Sequence, residues 1–261
     1  SFPGRFLAAR ATNIPILGRL ADRMLFDGDD LVFLPQDRIL QSIAVDEGIE
    51  RPGEIVLPSQ VVEHFVNRAN VHWIMDFCIC RAAEGCRDYP MELGCLFLGE
   101  AALGINPELG CLVTREEALE HVARCREAGL IHLVGRNKLD TVWLGVGPGR
   151  KLLTICNCCP CCCLWRILPY LTPRIADKVA RLPGVTVTVN DRCVGCGTCT
   201  EGVCFADAIS LKHGQAVIDA ACRGCGRCVD VCPQRAIELS IDDGLHLRRT
   251  ISRIAGLVDV E

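Results

Sequence analysis

The chain has 261 residues, half of them apolar, with a net charge of −4, an isoelectric point near 5.9 and a mean hydropathy of +0.27. That supplies core for one large or two ordinary domains and leaves no basic excess for neutralising phosphates, so nucleic acid is not an expected partner. No apolar run reaches the roughly 18 residues of a spanning helix, no secretory leader is expected, and a cytoplasmic location is.

Residues 1–26 interleave Phe6, Leu7, Ile14, Ile16, Leu17, Leu20 and Leu25 with Arg5, Arg10, Arg19 and Arg23. Two readings compete: a basic amphipathic helix lying on a membrane or partner, and an arm packed on its own chain or on a second subunit. Pro15 interrupts the pattern and favours the arm. Short strands and turns are expected over 27–58, with Asp27-Gly28 and Pro52-Gly53 as turns. These residues make up an N-terminal segment, 1–58. A Cys-rich iron–sulfur domain, 59–184, follows.

Ser59 is expected to cap a helix burying Val61, Val62, Phe65, Val66 and Ala69. From Val71 to Cys80 the pattern alternates, placing Val71, Trp73, Met75, Phe77 and Ile79 on one strand face and His72, Asp76, Cys78 and Cys80 on the other. Thr114 and Glu117 form a capping box, and Gly129 closes the helix they start, with Cys125 in its core face. Strands are expected over 130–134 and 141–146. Gly145, Gly147 and Gly149 lack the spacing of a nucleotide loop and read as a turn. A helical pattern over 164–182, broken near Pro169 and Pro173, ends at Pro183-Gly184, and a strand over Val185–Val189 opens the last domain, 185–240. The tail, 241–261, carries an apolar stripe of Ile251, Ile254 and Leu257 that should dock as a helix.

Twenty cysteines set the chemistry. Their C-x-x-C runs and adjacent pairs crowd thiolates together, which suits metal or iron–sulfur ligation in a reducing compartment better than disulfides. The run Cys193-Val-Gly-Cys196-Gly-Thr-Cys199 recurs 29 positions on as Cys222-Arg-Gly-Cys225-Gly-Arg-Cys228. Cys204, Ala208, Ile209 and Leu211 recur 28 positions on as Cys232, Ala236, Ile237 and Leu239, so the first copy holds one extra residue. Glycines at 195, 197, 224 and 226 allow tight turns that aim N–H groups at cluster sulfurs. Structural zinc in the C-x-x-C pairs would need neither the third nor the fourth cysteine of each copy.

Residues 191–240 thus resemble the bacterial two-cluster ferredoxins, whose run is C-x-x-C-x-x-C-x-x-x-C-P. The second copy matches through Pro233; the first has Phe205 where proline is usual. The resemblance implies two [4Fe–4S] clusters, one on Cys193, Cys196, Cys199 and Cys232, the other on Cys222, Cys225, Cys228 and Cys204. The fold class it implies is α+β, a Cys-rich α/β domain followed by the ferredoxin-type domain. The whole chain is similar to the larger ferredoxin-type iron–sulfur proteins of anaerobes.

Ten further thiols lie upstream, in the set Cys78, Cys80, Cys86 and Cys95 and the run Cys156-Asn-Cys158-Cys159-Pro-Cys161-Cys162-Cys163. Adjacent cysteines point apart, so the run cannot serve one metal: some thiols are expected to join the first set around one cluster, and the others to face a second cluster or stay free. Cys156, Cys158, Cys159 and Cys161 are the candidates from the run, and one or two further iron–sulfur clusters are expected over zinc. Heterodisulfide reductase subunits share the adjacent Cys-Cys pairs but not the spacing around them. Cys111 and Cys125 read as buried thiols. His72, Asp76 and Arg81 could tune a cluster or move protons but fit surface or supporting positions better. His64, His121 and His132 suit ordinary hydrogen bonds. No catalytic residue follows from the sequence.

The leading expectation is an electron-transfer subunit working with a redox partner protein, in a larger complex or as a homo-oligomer. An enzyme whose upstream cluster reduces a disulfide, thioester or corrinoid is the first alternative. An assembly or activation factor for a metalloenzyme is the second.

Overall fold

The computed structural model describes residues 4–43, 57–242 and 245–261; the Pro52-Gly53 turn expectation lies outside them. The arm forms helices α1 (Arg5–Ala11) and α2 (Pro15–Ala21) and a π-helical turn over Asp22–Phe26. Pro15 opens α2, where a missing N–H costs nothing. The arm folds back on its own chain. Asn13 donates to the Tyr170 carbonyl, the Thr172 N–H donates to the Thr12 hydroxyl, and Asp22 pairs with Arg174 and Lys178. Leu7, Ile16 and Leu20 stay exposed on its outer side.

Next come β1 (Asp30–Leu34), β2 (Leu40–Ile43), α3 (Ser59–Arg68), β3 (His72–Met75), α4 (Ile79–Glu84), β4 (Leu96–Leu98) and β5 (Gly110–Leu112). After them lie α5 (Arg115–Glu127), β6 (Ile131–Arg136), α6 (Lys138–Leu144), β7 (Leu153–Cys158), α7 (Pro173–Ala176) and β8 (Val179–Arg181). These strands, β2 apart, form one seven-stranded sheet ordered β5–β3–β4–β7–β6–β1–β8, antiparallel except for β1 with β8.

Period-two alternation divides the sheet's side chains. Val32, Leu34, Val134, Leu153 and Ile155 pack under α3 and α5, with Val61, Phe65 and Val122. Leu31, Phe33, Ile131 and Leu133 face the opposite way, with Trp165, Leu168, Cys158 and Cys163. On β7 the thiols of Cys156 and Cys158 therefore share one face. Two thiols on one strand face, which the sequence suggested for Cys78 and Cys80 in 71–80, occur on β7 instead.

The last segment contains β9 (Val185–Val189), β10 (Ile209–Lys212), β11 (Gln215–Ile218), α8 (Arg227–Val231), β12 (Ile237–Ile241) and α9 (Leu245–Ala255). β12 lies between β9, antiparallel, and β2, parallel, while β10 and β11 form a hairpin. Leu247, Ile251 and Ile254 dock α9 into the core that holds Val61, Val185 and Leu239. Among the described residues no helix is long and apolar enough to cross a membrane.

Local chemistry explains where elements depart from expectation. Strand β3 stops at Met75, and Arg81-Ala82-Ala83-Glu84 forms helix up to Gly85 at φ +63°, so Cys78 precedes α4 and Cys80 sits in its first turn. The Ser59 N–H is bound by the Asp37 carboxylate rather than Ser59 capping the helix itself. Residues 164–182 split at the two prolines into a 3-10 turn (Leu164–Tyr170), α7 and β8. The capping box on Thr114 and Glu117 forms as expected, with Gly129 at φ +76° beyond the helix end.

Residues 138–144 form a helix instead of a strand. The Asp29 carboxylate accepts the Lys138 N–H at 2.6 Å and Gly145, at φ +67°, ends the helix. Burial pushes the Asp29 carboxyl up to about 7. The folded chain therefore holds a proton that the unfolded chain releases near pH 4, and stability from this group declines as pH rises from 4 through 7. Asp29→Asn keeps an acceptor oxygen without the charge, so its unfolding midpoint should exceed that of the parent chain at pH 8 and approach it at pH 4; a constant difference at both would exclude this cause.

Candidate metal centres

The repeat read from the sequence is also present in space. Gly195 and Gly224 adopt φ of +67° and +65°, Gly197 and Gly226 +82° and +77°, and Asp207 and Arg235 +49° and +48°. At Gly195 a side chain is impossible, since a Cβ would stand 2.2 Å from the Gly214 carbonyl oxygen at the hairpin turn. Cys193, Cys196, Cys199 and Cys232 line one cavity; Cys204, Cys222, Cys225 and Cys228 line another. Each cavity takes three close thiols and one distant thiol, crossed between copies.

Backbone N–H groups are aimed at these sulfurs. Ala208 donates to Cys204 at 3.4 Å and Ala236 to Cys232 at 3.3 Å, at equivalent repeat positions, while Ala216 donates to Cys193 and Gly224 to Cys222, both at 3.4 Å. Such donors stabilise negative charge on sulfur, and the cradles fit a ferredoxin-type cluster each. Phe205 has a physical reason to replace proline: its ring packs on Phe33 of β1, centroids 4.5 Å apart, and joins the apolar core beneath the seven-stranded sheet.

The upstream thiols divide into two groups. Cys78, Cys80, Cys95, Cys156, Cys158 and Cys163 line a cavity of about 320 Å³, against about 10 and 20 Å³ for the ferredoxin-type cavities. Three contacting pairs make up this ring: Cys78 with Cys80, Cys95 with Cys156, and Cys158 with Cys163. The hydrogen bond from Cys80, aided by Arg81, draws Cys78 down to about 6, whereas its bond to Cys78 and burial push Cys80 up. Likewise Cys163 is lowered by its bond with Cys158, which is raised. A thiol that ionises readily is a thiol ready to bind metal. Cys159 reaches the cavity wall, but its sulfur gathers with those of Cys86, Cys161 and Cys162, all four within 4.8 Å of one another.

Arg81 is fully buried between the groups. Its guanidinium donates to the Asn157 carbonyl at 2.9 Å and to the Leu93 carbonyl, and Nε has no partner. Burial opposes its charge; Cys78, Cys159 and Cys95, with no carboxylate among them, sustain it. An unpaired buried charge costs several kcal/mol, so this cation needs anionic sulfur beside it. Also lining the cavity, Asp140 accepts from Asn137 at 2.8 Å, Trp143 at 3.0 Å and Thr154 at 2.8 Å, and burial raises its carboxyl pKa. Ile79, Leu139, Leu164 and Trp165 supply apolar lining.

A model of the LdpA Fe–S cluster-binding domain family matches residues 199–241. A subunit of the ion-translocating oxidoreductase complex of Methanosarcina acetivorans is 50% identical over 48 residues. The chain is an iron–sulfur protein. The match to that subunit spans 18% of this chain and 18% of the relative, and no solved structure matches.

Among residues singled out from the sequence, Cys78, Cys80, Cys95, Cys156 and Cys158 meet at the large cavity, while Cys86, Cys159 and Cys161 meet elsewhere. Cys162 and Cys163, in the same six-thiol run but without a spacing that marks them, complete these two groups. Cys125 is buried as expected, whereas Cys111 is exposed on edge strand β5. The ring nitrogens of His72, His121 and His132 meet Val66 O, Gly94 O and Asn157 Oδ1. Asp76 is exposed. Arg81 is no surface group, and nothing in the local pattern marked Arg227 or Asp140.

Proposed function

We propose that this chain is an electron-transfer protein in which two ferredoxin-type [4Fe–4S] sites serve a third, thiolate-held iron–sulfur centre in the upstream cavity. Bound clusters supply one-electron redox chemistry. The observation that carries the reading is a shared core. Cys204, Cys222 and Cys225 of one ferredoxin-type site pack in the same apolar cluster as Cys156, Cys158 and Cys163. Arg227, buried between Cys225 and Cys228, donates to the Cys158 carbonyl on β7. The other site reaches the surface through exposed Cys196, which suits exchange with an external partner. The relative belongs to an oxidoreductase complex, which fits a chain that works beside a redox partner. A reducing, cytoplasmic setting suits thiolate ligation.

A second reading, a reductase, rests on cavity size. The upstream cavity far exceeds either ferredoxin-type cavity and carries Asp140 together with Asn137, whose buried Oδ1 has no partner. Those groups would orient a substrate or hold a proton for it.

Iron and acid-labile sulfide per chain after anaerobic purification, read with low-temperature EPR, test the proposal. More than about eight irons, with a signal beyond the ferredoxin pair, is expected. A chain holding about eight irons and no further signal would leave only the ferredoxin pair and end the relay reading.

A further inference from the structure

Cys86, Cys159, Cys161 and Cys162 stand apart from the six thiols of the cavity ring. Cys86 Sγ to Cys161 Sγ is 3.5 Å, as is Cys161 Sγ to Cys162 Sγ, and no pair in the group exceeds 4.8 Å. Four sulfurs bound to one ion at about 2.3 Å stand about 3.8 Å apart at the corners of a tetrahedron. A cubane places iron and sulfide between its ligands and spreads them much wider. Among the described residues no other set of three or more histidine, cysteine or carboxylate ligand atoms is gathered as closely, the ferredoxin-type quartets included. One chain thus holds quartets spaced for clusters and a quartet spaced for a single ion.

We propose that these four thiolates hold one zinc ion in a closed structural site. The surroundings suit it. The Cys162 N–H donates to Cys159 Sγ at 3.3 Å, and backbone groups of Asp88 and Tyr89 reach the Cys86 sulfur. Arg81 lies against Cys159, and Arg166 donates to the Cys161 carbonyl at 2.6 Å, which offsets the two negative charges of a zinc tetrathiolate. Leu93, Leu130 and Cys125 pack around the group, with Cys159 and Cys162 buried and Cys86 and Cys161 half-buried, and four sulfurs fill the coordination of a tetrahedral ion. Zinc held by four cysteines, with no open coordination position, is a fold-holding arrangement rather than a catalytic one.

Its effect follows from the chain segments it joins. Cys86 belongs to the loop after α4, and Cys159, Cys161 and Cys162 to the loop after β7. These loops carry walls of the thiol cavity, so the ion would clamp them together without taking part in electron transfer. The inference does not depend on the relay reading.

The test is zinc content and zinc-edge X-ray absorption on the full chain purified anaerobically, beside Cys161→Ser. About one zinc per chain is expected, with four sulfur neighbours near 2.3 Å and no neighbouring metal. Cys161→Ser should reduce the zinc about tenfold while the EPR of the ferredoxin-type clusters, which reports folding, persists. Absence of zinc from the parent chain, or nitrogen or oxygen in its coordination, would overturn the proposal. So would a Cys161→Ser chain that keeps its zinc. If that variant does not fold, the spectrum of the parent chain decides alone.

Discussion

A chain carrying Cys204→Ala is expected to lose about four irons and the reduction of its upstream centre, while the site at Cys193, Cys196, Cys199 and Cys232 stays loaded. The crossed lining predicts this. Cys204 shares its cavity with Cys222, Cys225 and Cys228, although in the sequence it follows Cys199. Removing it opens one corner of the site packed against Cys158 and Cys163. Cys232→Ala is the mirror experiment: it should empty the site that reaches solvent through Cys196 and block entry from an external donor. EPR of each reduced variant should lose the interaction between two neighbouring clusters and show one isolated cluster. With a small chemical reductant, Cys204→Ala should reduce its upstream centre no faster than a chain without ferredoxin-type clusters. Loss of the Cys193-side cluster from Cys204→Ala would overturn the crossed assignment; rapid upstream reduction would overturn the relay.

The ferredoxin-type repeat was legible because it is local: three close thiols and the glycines between them fall within one short turn, so their separations are read directly from the sequence. The capping box of α5 and the apolar stripe of α9 were legible for a similar reason, each being local. Where tertiary contacts decide, local pattern misled. The alternation of 71–80 was real, yet β3 has partners only through Met75, and the helix-forming Arg-Ala-Ala-Glu run takes over. The helix over 138–144 depends on Asp29, far away in the chain, for its first N–H. Partition of the upstream thiols was beyond reach for the same reason, since Cys86 meets Cys161 across 75 residues. Phe205 looked like a flaw in the ferredoxin pattern until Phe33 supplied its packing partner.

Arg81→Met should separate an anionic upstream centre from a patch of neutral buried thiols. Replacing a buried cation by an apolar side chain of similar volume removes its desolvation cost and should be neutral or stabilising when nothing nearby needs its charge, as replacing a whole buried ion pair often is by about 1–4 kcal/mol. Removing the cation from beside a compensating anion instead costs about 3–5 kcal/mol, because the anion stays buried and unpaired. The Arg81 charge is sustained by Cys78, Cys159 and Cys95, with a hydrogen bond to Cys159, and its guanidinium binds the carbonyls of Asn157 and Leu93, with no carboxylate among these partners. The second cost is therefore expected. Arg81→Met should lose upstream metal, or retain it with a lower unfolding midpoint and a more negative reduction potential, while both ferredoxin-type clusters remain. Arg81→Lys keeps the charge but lacks the planar fork that reaches two carbonyls at once, and should fall between the two. An Arg81→Met chain that keeps its full upstream metal and unfolds at or above the parent midpoint would mean that the upstream centre carries no negative charge that depends on this cation. Equal stability of the two chains with no upstream metal in either would instead make the upstream cysteines packing and leave the two ferredoxin-type sites no third centre to serve.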